Sequence, residues 1–380
     1  MKFIVPSQLL YKNLQIVSGI ITTNSAIPII ENVLFQIEGK KLKLTATDLE
    51  TTMTTELEVS DADGDGKIVV PSKIVLDTLK SLPDVPVIFT ISDEFTIEIS
   101  ADEANYKLVG YSCDEFPQKP ELENVSSFEI DAKILGNGIT KTIFATGAAD
   151  IRPVMAGVFC EIKPEDITFV ATDAHRLVRY KNTSLKTGLD ASLIMPKKPL
   201  LLLKNILQSF EGSVRIDFDD SKIGFTLETL SIVSKLIEGK YPNYNAVIPK
   251  NNSNILKVER LPFLQRMRSI SPYANQSTHQ VRLKIEQNIM RLTAENIDVA
   301  YCANATVPCS FEYESEEGQT EFEIGFSSKF LQEILSNLES DEVVIKLSQP
   351  TSAGLIFPAG EEEGKEDDIL MLLMPVMLNV

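Results

Sequence analysis

A stretch near the start of the chain reappears 125 positions later, and that recurrence limits the possible folds more than any other property of the sequence. Residues 42–50, LKLTATDLE, align with 167–175, ITFVATDAH, so that Thr47 and Asp48 fall over Thr172 and Asp173. The same offset sets VVPSKIVLDTLKSL (69–82) over IMPKKPLLLLKNIL (194–207), and DEFPQ (114–118) over GKYPN (239–243). A fainter third copy runs through IMRLTAENIDV (289–299), IGFSSKFLQEILSNL (324–338) and LLMPVML (372–378). Several independent matches at one offset mark a repeated structural unit, and 380 residues exceed what one hydrophobic core ordinarily organises. Three copies of one domain are expected, near residues 1–122, 123–252 and 253–380.

Each copy runs through the same patterns in the same order. An amphipathic helix comes first (PSQLLYKNLQIVSGI, DAKILGNGITKTIFA, ERLPFLQRMRSIS), then alternating strands such as VLFQIEGKKLKLTATD, a second helix, and further strands such as VIFTISDEFTIEIS. Pro or Ser at the helix starts fits N-terminal capping. The fold class is α+β, with two helices packed on antiparallel sheet in every copy.

The net charge of −18 argues against nonspecific binding of nucleic acid, because affinity for phosphates comes from Lys and Arg displacing counterions. Positive charge is nevertheless concentrated on the six expected helices, while strands and loops are acidic. If those helices lined one concave surface, Lys12, Lys73, Lys80, Lys141, Lys197, Lys198, Lys204, Arg266, Arg268 and Lys329 would form a positive lining inside a negative exterior. The plainer reading is that helix lysines are solvated surface.

The longest apolar run, ILMLLMPVMLNV, falls short of a membrane span, and MKFIVPSQLL lacks the core of a signal peptide, so a cytoplasmic protein is expected. Cys113, Cys160, Cys302 and Cys309 are scattered without ligand or disulfide spacing and are expected to be buried free thiols. No cofactor or metal is expected. DADGDGK (61–67) begins like a calcium loop, but position twelve is Ser72 instead of a bidentate Glu, so it reads as a solvated acidic turn. EEEGKEDD (361–368) reads as an exposed loop.

FVATDAHRLVRY (169–180) holds one of two histidines, flanked by Asp173 and Arg176. A His–Asp dyad needs a nucleophile, and no such signal accompanies it. The aligned first copy keeps Thr47 and Asp48 but has Leu49 and Glu50 where the second has Ala174 and His175. The Asp is therefore expected to bond backbone groups in a turn, and catalysis is not expected. Pro375 removes a ladder donor, so the residues after it should leave the sheet as an apolar tail.

Taken together, the repeat and the segments MKFIVPSQLLYKNLQIVSG, LTATDLE, VATDAHRL, SKLIEGKYPNYNAVIPKN, EIGFSSKFL and LLMPVML resemble the bacterial DNA polymerase III beta subunits, the sliding clamps, over the whole chain. The resemblance implies a head-to-tail homodimer forming a six-domain ring around duplex DNA, which confers processivity on a replicative polymerase without sequence specificity or catalysis. It further implies a groove for short linear peptides of polymerases, the clamp loader and repair proteins. Carried over by motif, that groove is lined by Met155, Thr172, His175, Arg176, Leu177, Pro242, Val247, Met374, Pro375, Met377 and Leu378, with His175 and Arg176 at its rim. Ring closure is assigned to Tyr106, Lys107 and Leu108 of a first-domain edge strand against a third-domain edge, with Tyr273 and the 312–317 acidic run as candidates. The chain departs from the family at Ala174 (usually Gly), Ala246 (commonly Arg), Asn24 (often an Arg that contacts DNA) and Asn379-Val380, two residues beyond the usual end. Without a phosphate-binding loop of its own, the ring should need an ATP-using loader to open.

Readings from other classes make different demands. An acidic scaffold that binds proteins but never DNA would be indifferent to charge reversal at Lys197, Lys198 and Lys204. An enzyme built on the 172–177 turn would lose turnover on His175→Ala.

Overall fold

The computed structural model describes residues 1–23, 25–313, 321–360 and 366–378. Asn24, most of the 312–317 run, residues 361–365 and Asn379-Val380 lie outside them.

Six helices fall within the six expected segments: α1 (Ser7–Ser18), α2 (Ser72–Ser81), α3 (Ala132–Thr142), α4 (Lys197–Leu207), α5 (Arg260–Ile270) and α6 (Ser328–Ser336). Their apolar stripes turn inward, as with Leu10, Leu14 and Val17 on α1 and Leu331, Ile334 and Leu335 on α6, all buried. α1 packs on α2, and α5 on α6. The helix starts differ from the capping expectation, since α1, α2, α5 and α6 have no side-chain cap bond. Instead a backbone amide at the helix start donates to a carbonyl beside another strand: Ser7 N to Val85 O (2.9 Å), Arg260 N to Asp341 O (2.8 Å) and Ser328 N to His279 O (2.7 Å). Each of these helices follows directly on a strand, so the ladder itself satisfies the orphan donor.

Compactness does not follow the repeats. One unit comprises Met1–Lys133 with Lys198–Leu236, and the other Ile134–Lys197 with Ile237–Val380, so the cut passes through the central copy. The cause is sheet continuity. In the first unit, an eight-stranded sheet joins two repeats where Leu230–Lys235 pairs antiparallel with Thr51–Glu58. In the second, a nine-stranded sheet joins two repeats where Asp367–Leu373 pairs with Arg176–Asn182. Each unit also holds a smaller sheet, of five strands in the first and four in the second.

The cysteine expectation holds only in part. All four thiols are free, but only Cys160 is buried, while Cys113 and Cys309 are half-buried and Cys302 is exposed. Cys302 lies on Tyr301–Pro308, the outermost strand of the four-stranded sheet, where alternation points it outward. In DADGDGK, Asp61–Asp63 forms an edge strand on Lys2–Ile4, and Asp65 Oδ1 accepts the Gly39 amide (2.8 Å). Among the described residues no helix is long and apolar enough to cross a membrane.

Candidate partner-binding groove and basic helix faces

The turn at residues 172–177 is held by its own side chains. Asp173 Oδ1 accepts the amides of His175 and Arg176 (3.0 Å each), while Thr172 Oγ1 accepts the Ala174 amide (3.1 Å) and donates to Arg176 O (2.6 Å). The first copy repeats this with Asp48 on Glu50 and Thr51, and Thr47 on Leu49 and Thr51 O. The aspartates are thus structural turn-formers in both copies. The bonds force a left-handed residue at the third position, Ala174 at φ 74° and Leu49 at φ 76°. A glycine is the residue that adopts this at least cost.

The turn is fixed to the C-terminal segment. Arg176 faces Leu373 and Leu177 faces Leu372 across the ladder, and the Met374 amide donates to His175 O (2.8 Å). The strand ends at Leu373, and Pro375, with no amide, cannot carry the ladder on. The tail crosses onto the strand Phe322–Ser327, where Val376 N donates to Gly325 O (2.8 Å). A Cβ on Gly325 would lie 2.5 Å from Val376 O and 2.8 Å from a Leu378 methyl, so only glycine admits the tail here. Leu378 therefore packs over Gly325, and Met374 and Met377 stay exposed. Met155 closes the other side: Gly147 donates to Met155 O (2.8 Å), and a Cβ on Gly147 would sit 3.5 Å from Met155 and 3.6 Å from Asp173.

Beneath the turn lies an apolar cluster that includes Leu177, Tyr241, Tyr244, Leu355, Leu370 and Leu372, with Val154 and Ile248 packed against it. Tyr241 stacks on Phe159 at 4.7 Å, and Tyr244 donates to Glu161 (2.9 Å). Burial and then Glu161 push the Tyr244 hydroxyl up to about 12, so it is a donor at neutral pH. Pro242 is half-buried above this floor, and Val247 is exposed.

Arg176 is not at a rim. It is 5% exposed, and its guanidinium donates to Asp173 (3.0 Å), Glu333 of α6 (2.7 Å) and Phe144 O (2.7 Å), between the rings of Phe144 and Phe330. Each of the three guanidinium nitrogens is engaged and the group is buried, leaving little for a partner. Thr172 and Leu177 are likewise buried and serve as floor. Of the turn residues assigned to the groove, His175 is exposed at the rim, beside the exposed Ala174, with its ring 5.9 Å from that of Phe330. Glu333, Phe330, Tyr241 and Tyr244 escaped sequence reasoning. The two tyrosines had a signal in YPNY, whereas Glu333 lies 157 residues from Arg176 with none.

All ten proposed basic residues lie on helices. Lys12, Lys73, Lys80, Lys197, Arg266 and Lys329 are exposed, and Lys204 half-buried, with no ion pair among the described residues. Arg268 is exposed and touches Ser336 (3.2 Å). Two assignments need correction. The Lys141 side chain is only 14% exposed and paired to Glu339 at 2.7 Å. The Lys198 ammonium donates to Ile20 O (2.7 Å), Thr22 Oγ1 (2.8 Å) and the Asp48 carboxylate, bracing the first turn.

Tyr106, Lys107 and Leu108 lie on Ala104–Val109, the outermost strand of the five-stranded sheet, with Lys107 3.6 Å from Glu98 of the neighbouring strand. Tyr273 is exposed and packs edge-on to Tyr301, which begins an outer strand of the four-stranded sheet.

Comparison with known proteins decides what this arrangement belongs to. Three family models match in order: the N-terminal domain of the DNA polymerase III beta subunit over residues 1–120, its central domain over 129–243, and its C-terminal domain over 245–376. The chain belongs to the DNA polymerase III beta subunit family. The beta sliding clamp of Pseudomonas aeruginosa is 28% identical over 384 residues, and that of Vibrio cholerae 27% over 378, each covering all of both chains. Among solved structures, the DNA polymerase III subunit beta from Pseudomonas aeruginosa superposes with a TM-score of 0.91 at 27% identity. The sliding clamp from Bartonella birtlesii bound to griselimycin also gives 0.91, at 28%, and both cover all of each chain. Family membership makes the chain three tandem α+β clamp domains and a non-catalytic processivity factor.

Proposed function

We propose that two copies of this chain associate head to tail into a closed ring of six domains, bounded near 1–122, 123–252 and 253–380 in each copy. The ring encircles duplex DNA in the bacterial cytoplasm, at the nucleoid, and slides on it. Ring closure uses the edge strand with Tyr106, Lys107 and Leu108 against the edge beside Tyr273, which supplies the ladder partner that an open edge lacks. Phosphates meet the helix cations Lys12, Lys73, Lys80, Lys197, Lys204, Arg266 and Lys329, which have no ion pair among the described residues, and contacts to phosphates alone make binding independent of sequence.

The second junction receives short linear peptides of the replicative polymerase, the clamp loader, other polymerases and repair proteins. The supporting observation is the convergence of the His175 turn with the tail from Met374, joined by a backbone bond, and with the Met155 turn, which Gly147 packs beside Asp173. Apolar anchors would rest among Val247, Met374 and Met377 above the buried Leu177 floor. To test the ring, the protein is loaded on nicked circular DNA with clamp loader and ATP. Retention on circles and loss on linearisation support encirclement, and equal loss from both forms contradicts it. Reversal of Lys197 and Lys204 to Glu should reduce loading.

A further inference from the structure

The two sheet junctions are assembled from equivalent residues, and the first carries an open groove where the second carries an apolar cluster. Register fixes the equivalence. Thr52 faces Val233, which faces Gly224, just as Leu177 faces Leu372, which faces Leu355. Ser231, opposite Thr54, corresponds to Leu370, opposite Arg179. The 125-residue offset aligns the loops, setting Lys119 over Tyr244 and Leu122 over Val247. At the second junction Leu355, Leu370, Leu372 and Tyr244 are buried in one cluster. At the first, Gly224, Ser231 and Lys119 replace three of those four, and a cavity of about 520 Å³ opens between the 119–122 loop and the strands. Smaller side chains at a fixed backbone register leave space of this kind.

The groove is also chemically distinct. Lys119 Nζ donates to Ser231 Oγ (3.2 Å) and makes no ion pair among the described residues. Enclosure by the groove and then the charge of Lys43 hold its ammonium below the usual lysine range. Asp217 on the wall is bound to Ser127 and to Arg215 (3.0 Å), so its charge is compensated. Lys222 donates to Glu121 O (2.7 Å), which ties the 119–122 loop to the strands, and the charge of Lys43 acts on Glu56 as well as on Lys119. Lys119 is the cation of the groove lining, and without a carboxylate partner among the described residues it offers its charge to an incoming anion.

We propose that the first-junction groove binds a short acidic peptide segment, an aliphatic side chain resting on Leu122 and Val233 and a carboxylate on Lys119. The proposal extends, through the internal repeat, the reading of the second junction as a peptide groove. A carboxylate would give Lys119 the charge-assisted bond it lacks, and Gly224 leaves room for an apolar anchor where Leu355 fills the second junction.

The test is fluorescence polarisation of labelled Leu-Asp-Leu-Asp-Leu, with Leu-Lys-Leu-Lys-Leu as control, against the full chain, a chain truncated after Leu373, and Lys119→Glu. The acidic probe should saturate, weaken with added salt, tolerate the truncation and bind Lys119→Glu at least about tenfold more weakly, while circular dichroism shows that variant folded. The lysine probe should not bind. Absence of saturable binding by the full chain, equal binding by Lys119→Glu, or loss on truncation each overturns the proposal. Retained binding of the acidic probe alongside failure of a Gln-x-x-Leu-Phe peptide would support the first groove and overturn only the second-junction reading.

Discussion

The Thr47–Thr51 turn and the Thr172–Arg176 turn share one backbone but serve two different junctions. Both use Thr and Asp to bond the same amides, and both hold a left-handed third residue. Both receive an amide from the joining strand, Lys235 N on Glu50 O (2.9 Å) and Met374 N on His175 O (2.8 Å). They part at the fifth position. Thr51 meets Ser234 hydroxyl to hydroxyl (2.9 Å), whereas Arg176 fills a buried network with Asp173, Glu333 and Phe144. They part again one residue beyond these two donors. Leu236 still has an amide to give Ser221 O (2.7 Å), so the chain stays with its own sheet, while Pro375 has none and the tail departs over Gly325. A repeated scaffold thus gains a site through a few local changes, without alteration of the ladder that carries it.

The largest way to break this comparison is Arg176→Ala. It strips the partner from two carboxylates and a carbonyl, and should cost about 3 kcal/mol in urea unfolding, against about 1 kcal/mol for Thr51→Ala. Equal costs would mean that the two fifth positions are interchangeable. Next, Gly325→Val places a side chain in the path of the tail. A loss of about 1–3 kcal/mol, with faster exchange of the Val376 amide by NMR, is expected. Lys198→Met removes the brace on the first turn; because that lysine is partly exposed, thermal denaturation should show a change of only about 1 kcal/mol or less. The smallest effect should be common to both turns: Ala174→Gly and Leu49→Gly each relieve a left-handed residue and should stabilise by about 0.5–1 kcal/mol. A gain at one turn alone would show that the turns differ in backbone after all.

Helix positions were legible because their apolar stripes recur in every copy, and the turns because Thr and Asp were preserved where His was not. Pro375 foretold the end of the last strand. Sheet continuity across repeats was not legible: the alternation in Arg176–Asn182 marks a strand, but nothing in it names Asp367–Leu373 as neighbour, so the compact units came as a structural finding. The placement of Arg176 failed for the same reason. A charged residue beside an exposed histidine reads as rim until Glu333 is brought to it from a different repeat. Lys198 and Lys141 read as free helix cations because their acceptors, Asp48 with Ile20 and Thr22, and Glu339, are remote in sequence.

The most direct test of the central claim is fluorescence polarisation of a labelled Gln-x-x-Leu-Phe peptide titrated with the full chain and with a chain truncated after Leu373. Saturable binding that disappears on truncation is the predicted result, because the tail from Met374 completes the groove at the second junction. Failure of the full chain to bind, or undiminished binding after truncation, would contradict a partner site built from that turn and that tail.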